Sequence, residues 1–509
     1  MSDNNSNNKR IFKNTIILYA RMIVIMIVTL YSSRVILQAL GIDDYGLYNV
    51  VGGVVLMLGF LKSSLTNATQ RFLSYEMGQN NECRLKETFS VCLSTHIAIA
   101  VILIVLAETI GLWFLNSKIN IPDNRLVAAN WVYHFSVLSL AVSVITVPYH
   151  ACTISHEKMS FFAWVSILDA VLKLGFAFAL MLTSSDRLIL YGFLMMLTSL
   201  INLWLYWLYD RKYFSETKYS FYWNREMIKS IFSFSGWTLW GQLAVVGSAQ
   251  GKNILVNIFY SVSANAAMGV AHQVNSALVS LTSSFQTAFQ PQITKSYAAG
   301  DYEYMNSLIC NASKVSFFLL FIVSLPFMLN INWVLSIWLT EVPEYSGSFC
   351  VLYIIASILN ALATPLWISI FATGNIRNYQ IALSLAYFTE IAVIYILFML
   401  GFPPTTAMVV KVFLNAFMVI LRLIYTKLEV DTFSVMGYIK KVLLPILISI
   451  ILTLATAFIL YRFVDSLIQQ FVATFIIFVL SVVFAYFIGL TRSEQCTVKR
   501  LILKKIKRL

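Results

Sequence analysis

The sequence predicts an all-α polytopic membrane protein of about 14 transmembrane helices, and three observations carry that prediction. Apolar runs of about 20 residues, each able to cross ~30 Å of hydrocarbon, recur along the whole 509-residue chain. Hydrophobic residues make up 59% of it and charged residues 12%, about half the charge of an ordinary soluble domain. Of the 36 lysines and arginines, finally, 25 fall on one side of the predicted spans and only 4 on the other. A transmembrane barrel would instead show ~10-residue alternating segments.

The spans are expected near 14–38, 45–66, 88–115, 127–153, 159–183, 187–209, 230–259, 262–288, 310–339, 348–372, 379–400, 404–428, 438–462 and 466–490. The leader MSDNNSNNKR reads as a short disordered tail. The first apolar run is too long for a signal-peptide core, so it is expected to remain as a span. An even number of spans puts both termini on one side. With that side cytoplasmic, only Lys118, Arg125, Arg187 and Arg462 fall in outer loops, as the positive-inside rule requires. The ending VKRLILKKIKRL is basic and amphipathic, and is expected to lie on anionic inner-leaflet lipid. The net charge of +13 is therefore topology and lipid contact, and nucleic acid is not an expected partner.

A shift of 220 residues overlays the hydropathy of spans 1–6 on that of spans 7–12, with Lys9/Lys229, Ser63/Ser283, Ser64/Ser284 and Gln70/Gln290 among the surviving identities. A shift of 222 then aligns SYEMG (74–78) with SYAAG (296–300). Both halves start on the same side, so the repeat is parallel, with its axis along the membrane normal. The expected organisation is two pseudo-symmetric six-helix lobes, 1–220 and 221–430, around a central cavity. Residues 431–509 add two helices and the basic tail.

The outer loops are short, and no acid–base pair, nucleophile constellation, phosphate-binding loop or metal-ligand spacing stands out. An enzyme is not expected, nor a cofactor. The six cysteines read as small apolar packers, and the five histidines, His150 and His156 included, show no ligand spacing.

Chemistry is instead suggested by charge inside the spans. Such groups are expensive in lipid and mark functional interiors. Seven cations lie there (Arg21, Arg34, Lys62, Lys173, Lys252, Lys411 and Arg422) against three acids, Glu108, Asp169 and Glu390. Arg21 and Arg34 sit near opposite ends of span 1, about 140° apart around the helix, where each can snorkel or face inward. Lys411, Asn415 and Arg422 share one face of span 12. His272, Ser276, Ser283 and Gln286 share one face of span 8, either as interhelical packing or as a cavity wall. Asp169 and Lys173 form an i,i+4 pair. Glu390 has no cation on its own helix; it either pairs across to a neighbour or, like Asp169, titrates as an ion-coupling group. A net positive interior calls for an anionic ligand, and a diphosphate suits Arg as a fork and Lys as a point charge. Arg34, Lys252, Lys411, Arg422 and Lys173 are the candidate cationic binding residues.

The stretch RVILQALGIDDYGLYNVVGGVV (34–55) resembles the signature of the polysaccharide-biosynthesis flippases of the O-antigen type, with Arg34, Gly41, Tyr45, Gly46 and Tyr48 matching. QPQITKSYAAGD (290–301) is similar to the segment after span 8 in the same family, which belongs to the multidrug/oligosaccharidyl-lipid/polysaccharide exporter superfamily. The resemblance implies a bacterial inner-membrane protein that flips undecaprenyl-diphosphate-linked oligosaccharide by alternating access, alongside other polysaccharide-assembly proteins. The motif itself is expected to fix the turn between spans 1 and 2. A lipid II flippase and a multidrug extruder of the same superfamily are the alternatives, with a membrane glycan polymerase or ligase behind them.

Overall fold

The computed structural model describes residues 2–56, 59–118, 121–183, 186–222, 224–339, 341–464, 466–492, 494–495 and 499. Among them there are helices and turns and no strand. The chain forms two compact units, Met1–Leu243 with Thr294–Gly300, and Ala244–Ile293 with Asp301–Leu509.

The first unit contains α1 (Ser2–Leu56), α2 (Gly59–Gly78), α3 (Glu82–Leu106), α4 (Leu112–Lys118), α5 (Leu126–Ser155), α6 (Met159–Met181) and α7 (Arg187–Tyr213). It also holds the start of α8 (Arg225–Phe259) and the last turn of α9 (Val262–Ala298). Polar residues set the helix starts: Asn81 caps α3 through the Arg84 amide, and Asp186 caps α7 through the amides of Leu188 and Ile189. The central helix is α5, packed on α3 and α7 and on α2. Between α3 and α4 the helix widens into a π-turn at Ala107–Gly111, and the Ala107 carbonyl accepts the Tyr133 hydroxyl at 2.7 Å.

The second unit holds the rest of α8 and α9, then α10 (Tyr302–Leu329), α11 (Ile331–Trp338), α12 (Ser346–Thr373), α13 (Arg377–Met399) and α14 (Thr406–Glu429). It closes with α15 (Val435–Tyr438), α16 (Leu444–Tyr461) and α17 (Leu467–Phe484). Here α12 takes the place that α5 takes in the first unit. It packs on α10 and α14, the repeat counterparts of α3 and α7, and carries Pro365 where α5 carries Pro148.

Eleven of the described helices are long and apolar enough to cross a membrane. The predicted spans near 230–259 and 262–288 are helical but too polar to qualify, and the one near 45–66 includes residues 57 and 58, which lie outside the described residues. The first two carry Gln242, Ser248 and Lys252, and Asn265, His272 and Asn275.

Three local expectations need correction. The leader is not a disordered tail: residues 2–10 continue α1, because extending a formed helix is far cheaper than nucleating one. The predicted span 310–339 is two helices, broken at Asn330. Cys83 is exposed rather than packed. Residues 500–509 of the basic ending lie outside the described residues.

The signature turn is made by one residue. Gly41 has φ 78° and ψ 173°, a conformation essentially closed to side-chain-bearing residues, and helix resumes on either side. Around it Asp44 and Asp186 share Arg125, and Arg187 donates to the Ala39 carbonyl at 3.1 Å. Tyr48 lies against Tyr191, with ring centroids 4.6 Å apart. The motif residues thus secure the corner between α1 and the top of α7.

At the other end of the first unit the repeat-related segments SYEMG and SYAAG meet. Tyr75 and Tyr297, equivalent under the 222-residue shift, have ring centroids 6.5 Å apart. Gly78 has no room for a side chain: a Cβ there would lie 2.6 Å from the Lys295 carbonyl oxygen. Beside this contact Glu157 adopts a positive φ of 58°. Its carboxylate is fully buried and is held by Arg10 at 2.6 Å and Lys295 at 2.9 Å.

Candidate functional site

Each of five helices of the first unit turns a polar stripe toward one cavity of about 540 Å³. The stripes follow helical spacing: Arg21 and Thr29 on α1, Thr146 and His150 on α5, Ser166, Asp169 and Lys173 on α6, and Ser199, Asn202 and Tyr206 on α7. Lys62 enters from α2. Such stripes have no reason to face lipid, and gathering them around one space gives their polar atoms water or a ligand to bind.

The charges in this cavity are unequal. Asp169 is already engaged, by Lys173 at 2.7 Å and by the Asn202 amide at 2.7 Å. Arg21 and Lys62 have no carboxylate within ion-pair distance among the described residues. The Arg21 guanidinium lies 4.4 Å from the centroid of the Phe162 ring, and its Nε has no hydrogen-bond partner. His150 is fixed edge-on between Phe162 and Tyr206. The cavity therefore presents two uncompensated cations, an imidazole and several hydroxyls, with an aromatic wall. This set binds an anion with polar substituents.

The second unit disposes of its charges differently. Glu390 pairs across to α8: Lys252 Nζ donates to its Oε1 at 2.7 Å, and the Ser248 hydroxyl, which accepts from Lys252 at 3.0 Å, donates to its Oε2. This is the first of the two roles the sequence left open. Both charged groups are buried, so Lys252 is not free to meet a ligand in this conformation. The face of α14 points inward. Arg422 donates to the Tyr379 hydroxyl at 3.0 Å and to Asn360 Oδ1 at 3.1 Å, Asn415 donates to the Ala356 carbonyl at 2.7 Å, and Lys411 lies 4.8 Å from the Tyr353 ring centroid. On α9, His272, Ser276 and Ser283 are exposed and Gln286 is half-buried. A groove of about 530 Å³ between α13 and α14 is apolar apart from Thr389 and Glu390.

Of the candidates named from sequence, the first-unit cavity therefore gathers Lys173 and Asp169. Arg34 is exposed and lies off the Arg21 face of α1. Lys252, Glu390, Lys411, Asn415 and Arg422 belong to the second unit. The sequence reading left Arg21 and Lys62 out of the binding set and missed His150, Asn202 and Tyr206. The i, i+3, i+4 recurrence of polar residues in spans 1, 4, 5 and 6 is the signal that finds them.

The fold is that of MATE transporters of the MOP superfamily. The chain superposes with a TM-score of 0.72 on a multidrug resistance MATE family transporter in an outward-facing conformation, at 13% identity, covering 84% of this chain and 96% of that one. It is similar to the MATE transporter VcmN of Vibrio cholerae, with a TM-score of 0.68, 13% identity and coverage of 85% and 99%. A third neighbour is a MOP superfamily transporter from Pyrococcus furiosus, described as having a binding pocket of reverse polarity that suggests a different function. Its TM-score is 0.68 at 13% identity, with coverage of 82% and 96%. No protein-family model and no curated protein matches the chain by sequence. At these identities the likeness establishes the fold alone.

Proposed function

We propose that this chain is a transporter, not an enzyme, that carries an anionic lipid-linked glycan between membrane leaflets by alternating access, with undecaprenyl-diphosphate-linked oligosaccharide as substrate and the bacterial inner membrane as location. The observation that carries the reading is the pair of unmatched cations, Arg21 and Lys62, on the wall of the first-unit cavity. A diphosphate supplies the missing negative charge, Arg21 as a forked donor and Lys62 as a point charge. The hydroxyls, Asn202 and the aromatic rings suit sugar. The signature at 34–55 adds independent support. Multidrug extrusion is the second reading, favoured by the multidrug resistance transporter among the structural neighbours and by Asp169 in the same cavity.

Native mass spectrometry of the purified protein with undecaprenyl-diphosphate oligosaccharide tests this, with a cationic dye as control. Each charge-assisted hydrogen bond is worth ~1.5–3 kcal/mol, so Arg21→Ala or Lys62→Ala is expected to weaken lipid binding ~10–100-fold. Lys411→Ala, in the second unit, serves as comparison. Lipid binding that ignores both first-unit substitutions would remove the cavity from the mechanism. Dye binding without lipid binding would move the chain to the drug-extruder class.

A further inference from the structure

Outside the cavity, one cluster of side chains has the composition of a metal centre. Cys152 lies on the last turn of α5, His156 caps that helix one turn further on, and Glu216 comes from the short helical turn Ser215–Thr217 after α7. Their ligand atoms all lie within 4.8 Å of one another. Cys152 Sγ is 3.7 Å from Glu216 Oε1, and His156 Nε2 is in hydrogen-bond contact with the same oxygen. Tetrahedral zinc, with Zn–S of ~2.3 Å and Zn–N and Zn–O of ~2.0 Å, holds its ligand atoms ~3.3–3.6 Å apart, so small rotations of these side chains complete the geometry.

Two further observations point to a cation. Asp210, on the last turn of α7, is fully buried. Thr153 donates to its Oδ1 at 2.8 Å, but its Oδ2 has no partner. It is near enough to Cys152 and Glu216 for their charges to interact. Two buried carboxylates thus face one imidazole, while the neighbouring cations Arg10 and Lys295 are held by Glu157. The His156 ring is also pre-set: it stacks on Phe214 with centroids 3.9 Å apart and planes 5° from parallel. That fixes the direction of Nε2.

We propose that Cys152, His156 and Glu216 bind a transition-metal dication of the zinc type, with water in the fourth position; the Cys152 thiolate and the Glu216 carboxylate neutralise the metal's charge. The metal ties the end of α5 to the segment that follows α7. It thereby sets the turn that presents Glu157 to Arg10 and Lys295. The site is separate from the cavity and does not depend on what the chain transports.

The full-length protein in detergent is stripped with chelator and titrated with Co²⁺ alone, then with Zn²⁺ as competitor. One Co²⁺ per chain is expected, with thiolate-to-metal charge-transfer absorption that Zn²⁺ abolishes. Cys152→Ser should lose that absorption, and Glu216→Gln should weaken binding by ~100-fold or more, at or beyond the cost of removing an outer-shell partner. Zn²⁺ should raise the unfolding temperature of the wild type and leave that of Cys152→Ser unchanged. Wild-type protein that takes up no Co²⁺ with thiolate absorption overturns the proposal whatever the variants do. So does absorption that survives in folded Cys152→Ser, which would assign it to another cysteine.

Discussion

Replacing Glu390 by glutamine removes one charge from a pair that water does not reach. Lys252 and Glu390 side chains are 3% and 0% exposed, 2.7 Å apart, and closed by Ser248, which accepts from the lysine and donates to the carboxylate. In Glu390→Gln the amide keeps an oxygen for Lys252 but leaves its ammonium buried without a counter-charge. Breaking a buried pair from one side costs ~3–5 kcal/mol. At ~2–4 °C per kcal/mol for a unit of this size, the unfolding temperature should fall by at least ~6 °C. Removing both charges together, as Lys252→Met with Glu390→Leu, should return it to within ~2 kcal/mol of the wild type, because an apolar pair of similar volume needs no counter-charge. Thermal unfolding of the wild type, Lys252→Met, Glu390→Leu and the double variant in one detergent, followed by tryptophan fluorescence, gives the complete cycle beside Glu390→Gln. A single variant within ~2 °C of the wild type would sink the argument. So would a double variant as unstable as the sum of the two singles.

Two other perturbations test the corners of the first unit. Gly41→Ala forces a side chain into a backbone conformation that costs ~1–3 kcal/mol, and a thermal unfolding curve unchanged from the wild type would mean that the corner is made some other way. Burial alone would raise the Glu216 carboxyl, but hydrogen bonds from His156 and its own backbone outweigh it and hold the group below its ordinary value of 4.5. An acid held low contributes stability that is present above its unfolded value and lost as the pH falls through its folded one. Chelator-treated Glu216→Gln should therefore show a flatter acid limb in a stability–pH profile than the wild type. An identical limb would show that Glu216 does not contribute to it.

Fold class was legible because hydropathy and the placement of Lys and Arg are set by the membrane, which acts on every span alike. The repeat was legible too: it forecast the equivalence that α5 and α12 display, and it placed SYEMG and SYAAG at corresponding points. The inward face of α14 could be read because Lys411, Asn415 and Arg422 share one helix, where spacing alone fixes direction. The Lys252–Glu390 pair could not, since 138 residues separate the partners and no local pattern encodes their meeting. Cys152, His156 and Glu216 failed for the same reason, as Glu216 lies 60 residues beyond His156. The cavity lay between these extremes. Each of its stripes was visible on its own span, but which stripes share a space is a matter of helix packing. Lys173 and Asp169 were therefore found while Arg21, His150 and Asn202 were passed over.

The charge held in the first-unit cavity has an electrical consequence. In the second unit Lys252 and Glu390 cancel, while Lys411 and Arg422 keep the same charge whether the first-unit cavity is loaded or empty. The first-unit cavity holds the charges of Arg21 and Lys62, and the diphosphate of the proposed substrate, carrying about −2, would cancel them. A carrier built this way returns empty with about two more positive charges than it carries loaded. An interior-negative potential then pulls the empty form back toward the cytoplasmic face, by up to ~2.3 kcal/mol per 100 mV for each charge that traverses the whole field. The voltage of the membrane itself would reset the machine, with no coupling ion required. Charge movement recorded on a supported bilayer should therefore appear with the unloaded protein and shrink as substrate is added. The reverse dependence would place the mobile charge on the substrate instead.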